Sequence, residues 1–104
     1  MYTEVNKFKV KSGCEDELKA LALDILESLK SLKGFLSGVN YRDKKKNEWG
    51  RTLVWETQED SAVYSDSVLL SEHRERGRKL TDGPGEMKRY EVVGYVTAEK
   101  SWAR

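Results

Sequence analysis

Between Thr52 and Arg78 (TLVWETQEDSAVYSDSVLLSEHRERGR) the spacing of apolar residues changes from two to three and four. Leu53 and Trp55 fall on one face of an alternating segment, with Thr52, Val54 and Glu56 on the other, which predicts a strand. After the polar break Glu56-Thr57-Gln58-Glu59-Asp60, the residues Leu69, Leu70, His73, Gly77 and Leu80 recur at helical intervals. A split near Ser65-Asp66-Ser67 is expected, with Asp66 or Ser67 capping the second segment. His73, the chain's one histidine, lies in the middle of this stripe and so faces inward.

The same reading extends to the rest of the chain. Residues 2–11 alternate, with Tyr2, Glu4, Asn6, Phe8 and Val10 on the more apolar face, and predict a first strand. Ser12-Gly13-Cys14-Glu15 has the form of a capping box. The helix after it places Leu18, Leu21, Ala22, Ile25, Leu26, Leu29 and Leu32 on one stripe, with Gly34 as its C-cap. Phe35 to Arg42 predicts a second strand with Phe35, Val39 and Tyr41 on a shared face, and Asp43 to Asn47 a solvated turn. Trp49 to Thr57 pairs back as the third strand of a hairpin. Thr81 to Gly85 reads as a loop, Met87 to Thr97 as a long fourth strand, and the last residues as a frayed tail.

The order β-α-β-β-α-β is that of the ferredoxin-like fold. An α+β domain over residues 1–104 is therefore expected, with a four-stranded antiparallel sheet and two helical regions on one face. The other face keeps Val5 and the Val and Tyr residues of the last strand, an apolar surface suited to a homodimer. A net charge of +1 gives no field to hold nucleic acid, and no apolar run reaches the roughly 20 residues of a membrane span. The lysine triplet Lys44-Lys45-Lys46 lacks interleaved aromatics and reads as a solvated turn rather than a phosphate site. Cys14 has no partner for a disulfide, and the N-terminal residues lack the regions of a signal peptide, so a cytoplasmic protein is expected.

Three stretches together carry a resemblance: Lys33-Gly34-Phe35-Leu36-Ser37-Gly38, Leu53-Val54-Trp55-Glu56-Thr57 and Ser71-Glu72-His73-Arg74. The chain resembles the antibiotic-biosynthesis-monooxygenase-like (ABM) members of the dimeric α/β-barrel superfamily from Thr3 to Val96. The resemblance implies two sheets packed face to face in a homodimer that closes an α/β barrel. Within that superfamily the Isd-type haem-degrading monooxygenases use an asparagine on the first strand, a tryptophan on the second helix and a histidine farther along. Asn6 stands at the asparagine position and His73 at the histidine position, while the tryptophan position, nine residues before His73, is Tyr64. The tyrosine ring is smaller than the indole that the resemblance implies pressing the porphyrin out of plane.

The resemblance therefore implies haem as cofactor, His73 as axial ligand of its iron, and Asn6 as a donor to iron-bound dioxygen. Tyr64 would stack on the flat ligand, and Arg74, with Arg76, Arg78 and Lys79, would receive its propionates. Each residue also has a plainer reading. His73 can be a core-edge histidine bonded to backbone, Asn6 a structural amide, Tyr64 core, and the basic residues a solvated helix end. Trp55 reads as packing, and Cys14 has nothing near it in sequence to make it a nucleophile.

Three functions follow. The first is a haem-binding monooxygenase that degrades haem with dioxygen and an external electron donor. The second is a cofactor-free monooxygenase of quinols or small aromatics, with His73 as base. The third is a non-catalytic dimeric domain that binds a small-molecule ligand or serves stress physiology.

Overall fold

The computed structural model describes residues 1–103. Four strands, β1 (Tyr2–Lys9), β2 (Phe35–Asp43), β3 (Glu48–Trp55) and β4 (Glu86–Glu91), form one antiparallel sheet in the order β2-β3-β1-β4. The helices α1 (Glu15–Leu29), α2 (Gln58–Ser65) and α3 (Val68–Arg78) complete the ferredoxin-like arrangement. None of them is long and apolar enough to cross a membrane.

The core forms where the α1 stripe meets one sheet face. Leu18, Leu21, Ile25 and Leu29 of α1 are buried against Trp49, Leu53 and Trp55 of β3, with Val10 and Tyr64 completing the cluster. Period-two alternation gives the opposite sheet face to Val39, Tyr41 and Tyr90, all of which are exposed. Trp55 is fully buried, edge-on to Phe35 at 5.4 Å and stacked on Tyr64 at 5.6 Å between ring centroids. Its indole N–H takes no hydrogen-bond partner among the described residues, so burial of this ring sets apolar contact against an orphaned donor worth about 1–3 kcal/mol.

The structure revises four local expectations. Cys14, not Ser12, is the N-cap of α1, and no side chain caps it, so the capping box does not form. The helix ends at Leu29 with Lys30 as C-cap; Gly34 (φ +80°) instead turns the chain into β2, where Asp60 leaves no room for a side chain. A register shift between Phe35 and Ser37 separates Phe35, which pairs with Trp55 and joins the core, from Val39 and Tyr41 on the open face. The expected long fourth strand stops at Glu91. Beyond it, β5 (Gly94–Val96) and β6 (Ser101–Ala103) form a hairpin of their own in place of a frayed tail.

The break between the second and third helices falls at the expected residues. Ser67 has extended backbone, and its hydroxyl accepts from the Leu70 N–H at 3.1 Å, while Thr57 does the same for Asp60 at the start of α2. This break turns α3 against α1, so that Tyr64 of α2 and His73 of α3 face each other.

Candidate active site

A cavity of about 400 Å³ lies between the sheet and the helices. Its floor is sheet, with Glu4, Asn6 and Phe8 from β1 and Arg51 and Leu53 from β3. Leu18, Leu21 and Ile25 of α1 supply an apolar wall; Tyr64 and the α3 residues Leu70, His73 and Arg74 supply a mixed one. The segment from Thr81 to Met87 closes one side. Asn6, Tyr64, His73 and Arg74, separated along the chain by up to 68 positions, therefore border one space.

The polar centre is a chain of three side chains. Ser28 Oγ donates its single proton to the Ile25 carbonyl at 2.7 Å, so at 3.3 Å it accepts from His73 Nε2–H. That fixes the imidazole tautomer: Nδ1 is the unprotonated nitrogen and accepts from the Tyr64 hydroxyl at 3.0 Å. Tyr64 and His73 are both buried, at 3% and 6% exposure, so neither bond competes with bulk water.

Electrostatics reinforces this protonation state. Burial first, then the Arg51 and Arg76 cations, lowers the His73 pKa below its ordinary 6.5, with Glu72 opposing, so the ring is neutral at neutral pH. Burial pushes the Tyr64 phenol up to about 12, against the pull of Arg51 and Arg74, so it rests protonated. The pair is thus a neutral imidazole whose free nitrogen is capped by a phenol, and both side chains border the cavity.

The structure does not bear out His73 as an axial haem ligand. Both ring nitrogens are hydrogen-bonded inside the protein and the ring is buried: Nε2 carries the proton, and the one available lone pair, on Nδ1, is taken by the Tyr64 hydroxyl. A haem ligand needs a free imidazole nitrogen facing the porphyrin plane. These residues do not fit the group. Among the described residues no set of three or more His, Cys, Asp or Glu side chains could hold a metal ion.

The other expectations divide. Asn6 is half-buried at the floor, and its carboxamide has no hydrogen-bond partner among the described residues, so it does not act as a structural tie. Arg74 borders the cavity from an exposed position. Arg76 pairs with Asp24 at 3.5 Å and Arg78 with Glu75 at 2.9 Å, both on the surface. Trp55 is packing, and Cys14 is a free, half-buried thiol packed against the core and outside the cavity lining.

Three polar residues of the site escaped the sequence reading. Glu4, 4% exposed, accepts a hydrogen bond from Ser61 Oγ; Arg51 donates through Nε to Asn40 Oδ1 at 3.1 Å; and Ser28 orients the histidine. Each carried a signal. Glu4 and Arg51 alternate in step with the partly buried Phe8 and the buried Leu53 and Trp55, and Ser28 follows Leu21 and Ile25 on the α1 stripe.

Comparison with curated protein sequences gives no match. Among solved structures, the chain is similar to SnoaB, a cofactor-independent oxygenase from Streptomyces nogalater, with a TM-score of 0.77 at 18% identity, covering 95% of this chain and 97% of that one. It is similar to Rv0793 from Mycobacterium tuberculosis, with a TM-score of 0.80 at 12% identity over 92% and 98% of the two chains. A candidate antibiotic biosynthesis monooxygenase from Chloroflexus aurantiacus gives 0.75 at 24% identity, over 92% and 96%. At these identities the likeness is one of fold. Residues 1–76, well over half of the chain, match the family model for antibiotic biosynthesis monooxygenases, and the protein belongs to that family.

Proposed function

We propose that the protein is a cofactor-free oxygenase acting on a small planar phenol, quinol or enolisable aromatic ketone. The observation that carries this reading is the hydrogen-bonded series Ser28–His73–Tyr64 ending at a half-apolar cavity. Such chemistry needs little from a protein: a base that removes one proton from the substrate, a flat dry pocket, and access for dioxygen. The description of SnoaB as a cofactor-independent oxygenase supports the same reading.

Tyr64 takes the substrate proton on its hydroxyl oxygen as it passes its own to His73 Nδ1. The phenol never carries a full negative charge, which its raised pKa disfavours. His73 becomes an imidazolium still bonded through Nε2–H to Ser28. The substrate carbanion then reduces dioxygen and bonds to it, giving a hydroperoxide. Loss of water converts a ring CH₂ to C=O: four electrons leave the carbon, one oxygen atom is retained, and the other departs as water. No outside reductant enters this balance. His73 is the terminal proton acceptor, acting through Tyr64.

Dioxygen uptake by purified protein, measured with a panel of quinols and anthrone-type ketones without added metal or haem, tests the reading. Uptake that falls at least a hundredfold in both Tyr64→Phe and His73→Gln supports it. Uptake equal to that of buffer across the panel refutes it. As a separate check on the haem alternative, hemin titration is expected to give no Soret shift that depends on His73.

We also propose that the protein acts as a homodimer. Val39 (53% exposed), Tyr41 (41%) and Tyr90 (50%) form the apolar surface that a second copy would cover. Val39→Asp, which puts a charge on that face, is expected to shift the sedimentation coefficient from dimer to monomer. An unchanged coefficient rejects this interface.

A further inference from the structure

Across the cavity floor runs a row of register partners, one from each strand: Asn40, Arg51, Asn6 and Met87. Asn40 is fixed at both ends of its amide. Its Nδ2 donates to the Ala22 carbonyl of α1 at 3.0 Å, and its Oδ1 accepts from Arg51 Nε at 3.1 Å. The guanidinium is thereby held from one side, and its two terminal amino groups are left over.

Arg51 is half-buried and is missing from the ion pairs among the described residues. Glu4, the carboxylate in the neighbouring row, is bonded to Ser61 instead. An always-charged group withdrawn from water without an anionic partner is unfavourable unless something supplies the anion. Beside Arg51 on β1 is Asn6, whose carboxamide donors are also unused. Two sets of free N–H donors, one carrying a full positive charge, thus border the same cavity as Tyr64.

We propose that Arg51 and Asn6 form a seat for an oxyanion carried on a planar aromatic ring, so that the cavity selects ionised ligands over neutral ones of equal size. The proposal rests on reading the cavity as a substrate site, and it names the substrate class. The seat serves either a ring enolate (or phenolate) or a ring carboxylate, since both present in-plane oxygen lone pairs to a planar guanidinium. For an enolate, the charge left when Tyr64 removes a proton spreads onto the oxygen that Arg51 holds, which ties binding to the chemical step.

Calorimetric titration with two matched pairs tests the seat. One pair is 2-hydroxy-1,4-naphthoquinone, an enolate at neutral pH, and its neutral 2-methoxy ether. The other is 2-naphthoate and neutral 2-naphthamide. The wild-type protein is expected to bind the anion of at least one pair ten times more tightly than its neutral partner, a difference of about 1.4 kcal/mol. The pair that responds identifies the oxyanion. Arg51→Gln, checked for folding by circular dichroism, is expected to bring the preference below threefold.

Asn6→Asp is the second variant, because it adds a negative charge beside the guanidinium without touching the Asn40 anchor. It is expected to weaken the anion at least ten times more than its neutral partner. Equal binding within both pairs, no binding by any of the four compounds, or a folded Asn6→Asp protein with the wild-type preference overturns the proposal. Preference for anions without dioxygen uptake leaves the seat standing and removes the oxygenase. Uptake without preference does the reverse.

Discussion

Tyr64→Phe separates the roles that the Tyr64–His73 contact combines. The substitution deletes one oxygen and keeps the ring, so the stack on Trp55 at 5.6 Å and most of the buried area survive. What is lost is the 3.0 Å donation to His73 Nδ1. With the imidazole 6% exposed, that nitrogen becomes a buried acceptor without a donor, at a cost of about 1–3 kcal/mol in unfolding free energy. On the proposed function the catalytic effect is larger, since the group proposed to take the substrate proton is gone. A positioned acid–base residue contributes about 10²- to 10⁴-fold, and the loss is expected in kcat more than in KM.

Urea unfolding and an oxygen electrode measure the two effects on the same sample. His73→Gln and the double variant complete a cycle. If the two residues form one relay, the double variant is little worse than either single one, whereas independent contributions multiply. A Tyr64→Phe protein with kcat/KM within threefold of wild type, against the best substrate found, refutes the relay.

Other perturbations bear on neighbouring parts of the structure. Because His73 is held below 6.5 in the folded state, the unfolded chain takes up its proton first on acidification. Its contribution is therefore full above about pH 6.5 and is lost as pH falls through the folded-state value. Tyr64 has the opposite sense: its contribution is present below pH 10 and is lost as pH rises towards about 12. Urea midpoints of wild type, His73→Gln and Tyr64→Phe across pH should show the acid slope reduced in the first variant and the alkaline slope in the second. Gly34→Ala places a methyl carbon in overlap with the Asp60 carboxylate at φ +80°, and is expected to lower stability by more than about 1 kcal/mol in thermal unfolding. Gly77→Ala meets no atom within 4 Å and sits inside α3, so it should raise stability by about 0.5–1 kcal/mol.

Much of the architecture was legible in one dimension because the periods are local. The change of spacing after Trp55 marks the passage from β3 to the helices, and the α1 stripe fixes which side of that helix meets the sheet. Where the reading failed, a distant contact overrode a local signal. Ser12 and Glu15 have the residue types of a capping box, yet a turn at Gly13 (φ +85°) places Cys14 at the cap. Phe35 and Val39 look equivalent until the register shift against β3 turns them to opposite faces. Val92 to Thr97 are strand-forming residues apart from Gly94, but β4 ends at Glu91 and Gly94 to Val96 pair with β6 instead.

The site divides along the same line. Alternation and helical period were enough to turn Asn6 and His73 inward, since each depends only on its own element, while Tyr64 was singled out only by the family resemblance. They were not enough to give His73 its chemistry. That required Ser28, 45 residues away on α1, to occupy Nε2, and Tyr64, across the α2–α3 break, to occupy Nδ1. A side chain's orientation is set by the backbone period it belongs to, whereas its protonation and its free lone pairs are set by whatever the fold packs against it. The sequence by itself therefore determined that Asn6 and His73 would point into the domain. Only the tertiary structure decided that the histidine is tied at both ring nitrogens, and that the half-buried Arg51 is held by Asn40 with no ion-pair partner among the described residues.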